Sequence, residues 1–248
     1  MPQRFTYGAH AEQFGELTFP QDGRTARGTV VIIHGGYWRA TYSLELGRPL
    51  AADLAGRGWV AVNLEYRRAG NGGGWPETFD DISAGIDALA DLPELAGAQG
   101  TVIALGHSAG GHLAVWAAGR KEPRVPLDGV VSQSGVLDLL RAQELGLSSE
   151  AAENFLGASP EEDPERWEAA DPVRAVPAPV PVFVLHGSED TTVPVELAEN
   201  YVRAAKAAGG TSELRLIPGD HFEMITPGTA GWAEVLRAVE DAAGNTSG

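Results

Sequence analysis

Gly106-His107-Ser108-Ala109-Gly110 is the run with the plainest chemical meaning in this chain. With Gly at 32 of 248 residues, a Gly-x-Ser-x-Gly pattern arises by chance about 0.2 times in such a sequence, so its flanks decide its weight. An apolar run over 101–105 precedes it, and the helix-like Gly111-His112-Leu113-Ala114-Val115-Trp116 follows. A sharp strand-to-helix reversal holds Ser108 in strained backbone geometry, and side chains at 106 and 110 would collide with the neighbouring strand and helix. The serine hydroxyl is then lifted clear of a sheet, where it can act as a nucleophile.

A serine hydroxyl is a poor nucleophile at neutral pH, so it needs a base to take its proton and an acid to orient that base. Six histidines are available. His221, in Pro218-Gly219-Asp220-His221-Phe222, follows the last apolar run on a glycine-containing loop and is the expected base. His34 is read as ordering its own loop. Asp190, in Gly187-Ser188-Glu189-Asp190, is the expected orienting acid, with Glu189 its closest competitor; Asp220 is too near His221 in sequence to hold its ring. The order Ser108, Asp190, His221 fits the strand-turn-helix nucleophile pattern. Against these stand a plain helix cap for Ser108 and a solvent-facing loop histidine for His221.

A developing oxyanion also needs donors. His34-Gly35-Gly36-Tyr37-Trp38 follows the apolar run 29–33, and its glycines let the backbone N–H groups of Gly36 and Tyr37 point inward. Ala109, after the nucleophile, supplies another. Of the aromatic residues near strand ends, Trp38, Tyr66, Trp75 and Phe222 are candidates to line a substrate pocket, although most aromatics in a chain belong to its core.

These groups converge only if the chain folds as an α/β layer structure. Short apolar runs at 29–33, 59–64, 101–105, 127–132, 180–185 and 213–217 alternate with amphipathic segments, the pattern of a mostly parallel sheet with helices on both faces. Helices are expected at 48–56, 108–119, 195–208 and 231–243. Another carries Phe79, Ile82, Ile86 and Leu89 on its core face, with Asp80, Asp81 and Asp87 turned away. A strand at 15–19 adds an antiparallel edge. Residues 135–179, mixed, acidic and proline-rich, read as a cap-like insertion in a single domain spanning 1–248.

Composition narrows the function classes. The hydrophobic share of 43% and charged share of 21% are globular values, and no apolar run approaches the roughly 18 residues of a membrane span. A net charge of −16 disfavours nucleic acid as a partner. Without Cys there is no disulfide, no thiolate nucleophile and no Cys-ligated metal site. Residues 1–12 lack the basic and apolar segments of a secretory signal, which makes the cytoplasm the expected location.

Taken together, these residues resemble the α/β-hydrolase superfamily from about residue 29 to 243. His-Gly-Gly-Tyr-Trp at 34–38 is similar to the oxyanion segment of kynurenine formamidases (arylformamidases) and to the His-Gly-Gly-Gly of hormone-sensitive-lipase-like esterases. Ser134-Gly135-Val136-Leu137-Asp138-Leu139 and Asp220-His221-Phe222-Glu223-Met224-Ile225 also resemble formamidase segments. Glu65-Tyr66-Arg67-Arg68 and Trp75-Pro76-Glu77-Thr78-Phe79-Asp80-Asp81 look equally like small bacterial esterases. The resemblance implies acyl transfer from a small ester or N-formyl aryl amide to Ser108, with no metal or organic cofactor. A formamidase would have a tight acyl pocket, which Tyr37 and Trp38 could narrow. A broad carboxylesterase, a carbohydrate acetyl esterase and a silent ligand-binding fold are the alternatives.

Overall fold

The computed structural model describes residues 2–20, 25–95 and 100–244; of the expected domain over 1–248, residues 1, 21–24, 96–99 and 245–248 lie outside the described residues. The first half of the chain forms β1 (Gln3–Thr6), β2 (Phe14–Thr18), β3 (Thr29–Ile33), α1 (Arg48–Gly56), β4 (Val60–Leu64), α2 (Glu77–Asp87), β5 (Val102–His107) and α3 (Ala109–Ala118). The second half forms β6 (Gly129–Gln133), α4 (Leu139–Glu144), α5 (Ala151–Leu156), α6 (Pro164–Ala170), β7 (Val182–Gly187), α7 (Glu196–Ala207), β8 (Ser212–Ile217) and α8 (Ala230–Ala242). Every expected element is present, and each of the six expected parallel strands starts and ends within two residues of its apolar run. Two additions stand out: β1 pairs with the expected edge strand, and β5 runs on through His107.

The eight strands make one sheet in the order β1-β2-β4-β3-β5-β6-β7-β8. β2 is antiparallel to both β1 and β4, and the six strands from β4 to β8 are parallel. β3 explains the layering. All five of its residues, Thr-Val-Val-Ile-Ile, are buried, and successive side chains point to opposite faces. Val31 and Ile33 join the core under α2, α3 and α7, whereas Val30 and Ile32 join the core under α1 and α8. A strand covered on both sides has no polar face to show, which is why its sequence is a continuous apolar run.

Chain order and sheet order part company at β3. From β3 the chain steps outward to β4, then returns to lay β5 on the other side of β3. Loops leaving the C-terminal ends of β3 and β5 therefore diverge, and such a reversal opens the crevice where ligands bind in α/β sheets. Residues 34–38 and Ser108 lie on those two loops. Between β6 and β7, residues 135–179 contribute α4, α5 and α6 rather than sheet. Among the described residues, no helix is long and apolar enough to cross a membrane.

One expectation about α2 is corrected. Asp80 faces water, but Asp81 is buried, with its carboxylate accepting from Arg67 Nη2 at 2.7 Å, Arg67 Nε at 2.9 Å and Gln13 Nε2 at 2.7 Å. Asp87 is half-buried and accepts from Arg120 and from the Val125 N–H. Helical spacing marks the apolar stripe; a carboxylate at its margin turns inward when cations and amides satisfy it there.

Candidate functional site

Ser108 joins β5 to α3 with φ 54° and ψ −119°. Such a conformation costs a non-glycine residue about 1–3 kcal/mol and persists only where the surroundings impose it. Here they do: Ser108 N–H donates to the Gln133 carbonyl at 2.8 Å, and its carbonyl accepts from His112 N–H at 3.1 Å. A Cβ on Gly106 would lie 2.1 Å from the Gly110 carbonyl oxygen, and one on Gly110 would lie 2.0 Å from that of Ile33. Both glycines are thus required by close approach, one against the following helix and the other against β3.

Asp190 leaves the C-terminal end of β7, and His221 follows β8. His221 Nδ1 lies 2.6 Å from Asp190 Oδ2, so the neutral imidazole carries its proton on Nδ1 and leaves Nε2 free to accept one. Asp190 Oδ1 accepts from the N–H groups of Thr192 at 2.8 Å and Val193 at 2.9 Å. Burial pushes the Asp190 carboxyl up, but hydrogen bonds from His221, Val193 and the Ser134 hydroxyl outweigh it and bring the carboxyl down to about 2. It is therefore ionised at neutral pH. The competitor Glu189 is exposed and makes no hydrogen bond to His221, while Asp220 accepts from Phe222 N–H at 2.8 Å.

No hydrogen bond joins Ser108 Oγ to His221 in this arrangement, a bond that catalytic sites often leave long until substrate is bound. His107 brings the two together. Preceding Ser108, it donates from Nε2 to the His221 carbonyl at 2.9 Å, and its ring lies 4.5 Å from the His221 ring. Burial pushes the His107 imidazole down to about 3, so it holds the loop as a neutral donor. Gln133 Nε2 pins the same loop by donating to the Met224 carbonyl at 2.7 Å.

Opposite Ser108, Gly36, Tyr37 and Trp38 have φ of 117°, 48° and 54°. The backbone N–H groups of Gly36, Tyr37 and Ala109 have no acceptor among the described residues. Glu65, buried at the end of β4, anchors this loop: Oε1 lies 3.0 Å from His34 Nε2, Oε2 accepts from Leu44 N–H at 3.0 Å, and the Arg68 guanidinium pairs with the same carboxylate. Burial pushes His34 down to about 3, so it is an uncharged member of the cluster, in keeping with its expected loop-ordering part.

Two pocket candidates belong instead to this scaffold. Trp38 is buried, stacks on Phe155 at 4.7 Å and donates from Nε1 to His112 Nδ1 at 3.2 Å. Tyr66 is buried, stacks on His34 at 4.5 Å and donates to the His34 carbonyl at 2.7 Å. Each ring has a polar handle that finds a buried partner, so each packs inward. A third, Trp75, packs edge-on against Phe79 at 4.8 Å and borders a separate surface pocket of about 340 Å³ beside Trp116 and Arg120. Of the four, Phe222 stands exposed, its ring 5.2 Å from that of His221. Tyr37 is half-buried, and its hydroxyl donates across the site to the Thr192 carbonyl at 2.7 Å.

Residue-by-residue reading missed the supporting groups Glu65, Arg68, His107, Gln133 and Ser134. A signal existed for the first two: opposite charges three residues apart at the end of an apolar strand are placed to pair with each other. Among the described residues, no group of three or more His, Cys, Asp or Glu is gathered so as to hold a metal ion.

A family model described as BD-FAE matches residues 16–204, most of the chain. The chain belongs to the BD-FAE family. A similar curated protein, the probable carboxylic ester hydrolase LipM of Mycobacterium tuberculosis, is 29% identical over 185 residues, covering 68% of this BD-FAE chain and 43% of LipM. The chain spans about half the length of the curated relatives it matches. Among solved structures, esterase B from Lactobacillus rhamnosis superposes with a TM-score of 0.82 at 21% identity, over 99% of this chain and 87% of that one. A truncated carbohydrate esterase from gut microbiota gives 0.80 at 18% identity, over 98% and 96%. The fold of this BD-FAE member is the α/β-hydrolase fold, as the resemblance implied.

Proposed function

We propose that this chain is a serine hydrolase of the carboxylesterase type, acting on a small carboxylic ester. The observation that carries the reading is Asp190, its side chain out of solvent, bonded to His221 Nδ1 at 2.6 Å in a chain whose Ser108 sits at φ 54°. The esterase names of its relatives support the same chemistry. Ser108 Oγ attacks the acyl carbon while His221 Nε2 takes its proton, and the oxyanion accepts from the N–H groups of Gly36, Tyr37 and Ala109. The tetrahedral adduct collapses as His221 returns the proton to the leaving oxygen. Water then repeats the sequence on the acyl-enzyme, with Asp190 holding the imidazole in one tautomer throughout. This reading needs no cofactor and no nucleic-acid partner.

A narrower case is cleavage of an N-formyl aryl amide, as in kynurenine formamidases. It is favoured by Tyr37, whose side chain reaches from the oxyanion loop to Thr192 and narrows the acyl side. In the same reading residues 135–179 act as a cap on that side, held by the Trp38–Phe155 stack and by a hydrogen bond from Arg39 to the Ser148 carbonyl. The test is a substrate panel with wild type and Ser108→Ala: 4-nitrophenyl formate, acetate and hexanoate, and N-formylkynurenine. Turnover of short-acyl esters, lost in Ser108→Ala, is expected. Equal rates on formyl and hexanoyl esters would sink the narrow acyl pocket. Absence of any turnover, together with no phosphonate labelling of Ser108, would leave a ligand-binding fold.

A further inference from the structure

Single apolar side chains left in water are ordinary, but several brought together beside a reactive group mark a surface for an apolar ligand. Five are exposed among the described residues: Tyr42, Leu46, Leu145, Leu216 and Phe222. Three of them lie against the loops that surround Ser108. Tyr42 packs so closely on Gly36 that a Cβ there would sit 2.4 Å from its Cγ. Leu46 borders a small cavity with Gly35, His107, Gln133 and Ile225, which ties it to both the oxyanion loop and the His221 loop. Phe222, 55% exposed, has its ring 5.2 Å from that of His221 and 6.1 Å from that of His107, and its carbonyl accepts from Ile225 N–H at 3.1 Å.

The side of the 34–38 loop that meets residues 135–179 and Thr192 is filled. Trp38 and Phe155 stack there, and the Tyr37 hydroxyl is tied to Thr192. A substrate carbonyl bound between Ser108 and the free N–H groups thus has one crowded flank and one open, apolar flank. Proton transfer decides which half of the ester faces the open flank. The leaving oxygen must come within hydrogen-bond reach of His221 Nε2 to receive its proton. The body of the leaving group then extends past His221, where Phe222 is the neighbouring exposed surface.

We infer that Phe222, with Leu46 and Ile225 beside it, forms an apolar shelf for the leaving group, so that the preferred ester carries an aromatic or bulky aliphatic alcohol on a short acyl group. The inference rests on the serine-hydrolase reading. It adds a specificity surface that the catalytic groups themselves do not supply.

Benzyl acetate and methyl acetate test it, because they share the acyl group and have alcohols of similar leaving ability. The readout is the ratio of kcat/KM for the two, measured in wild type, Phe222→Ala, Phe222→Leu, Leu46→Ala and the remote control Leu216→Ala. Wild type favours the benzyl ester. Phe222→Ala lowers the ratio about 5- to 10-fold, the scale of one lost aromatic contact, and Leu46→Ala lowers it by about 2- to 5-fold. Phe222→Leu retains most of the preference, and Leu216→Ala leaves the ratio unchanged. A ratio unmoved by Phe222→Ala, or an equal loss on both esters, overturns the shelf and makes Phe222 a support of the His221 loop only. If wild type cleaves neither ester and a phosphonate does not label Ser108, the serine-hydrolase reading has failed and the shelf falls with it.

Discussion

Replacing Asp190 by Asn keeps the shape of the side chain and changes only what it can do for His221. The Asn oxygen can still accept from the N–H groups of Thr192 and Val193, but the amide that faces Nδ1 is a donor. Two donors cannot share that 2.6 Å contact, so the imidazole gives up the Nδ1–H tautomer and Nε2 ceases to be the free base. Substitutions of this kind in Ser-His-Asp sites lower kcat by about 10⁴. The stability side follows from the carboxyl pKa, held at about 2 against 3.8 for the free group. At about 1.4 kcal/mol per unit this favours the ionised, folded form by about 2 kcal/mol. Because the folded value is depressed, that stabilisation is fully present above pH about 4 and is lost as pH falls towards 2. Asn resembles the protonated acid and lacks the contribution at every pH.

Urea unfolding of both proteins between pH 2 and 7 measures the difference directly. A gap of about 2 kcal/mol at neutral pH, closing at the acid end, is the expected outcome. A gap independent of pH, or a kcat within tenfold of wild type, would refute the assignment of Asp190 and turn attention to Glu189.

Gly110→Ala drives a methyl group to within 2.0 Å of the Ile33 carbonyl oxygen, so the variant either fails to accumulate as folded protein or melts far below wild type; a melting scan with near-wild-type Tm would contradict the packing argument. Glu65→Ala leaves Glu12 as the one carboxylate on the buried Arg68 and frees the 34–38 loop by unpairing His34 Nε2 and the Leu44 N–H, at a cost of about 1–3 kcal/mol and, for a chain of this size, a fall in Tm of about 2–12 °C by calorimetry.

Local pattern was enough for much of this molecule. Apolar runs such as 29–33 must be covered on both faces wherever they lie, so the parallel core and its helices follow from periodicity alone. The glycines flanking Ser108 were legible for a similar reason: a reversal that tight leaves no room for Cβ atoms, whatever the surrounding fold. The order Ser108, Asp190, His221 singled out three residues without reference to any distance.

Tertiary structure decided the matters that depend on a partner distant in sequence. Asp81 is buried because Arg67 and Gln13 meet it, and Asp190 rather than Glu189 faces His221 because two backbone N–H groups fix its side chain. Trp38 and Tyr66 could enter the core because His112 and the His34 carbonyl satisfy their polar atoms there, while Phe222, on the loop that carries His221, stays exposed at the rim. An aromatic side chain is equally suited to a core and to a binding surface, so its residue type cannot distinguish them. Only the neighbours that folding supplies do so.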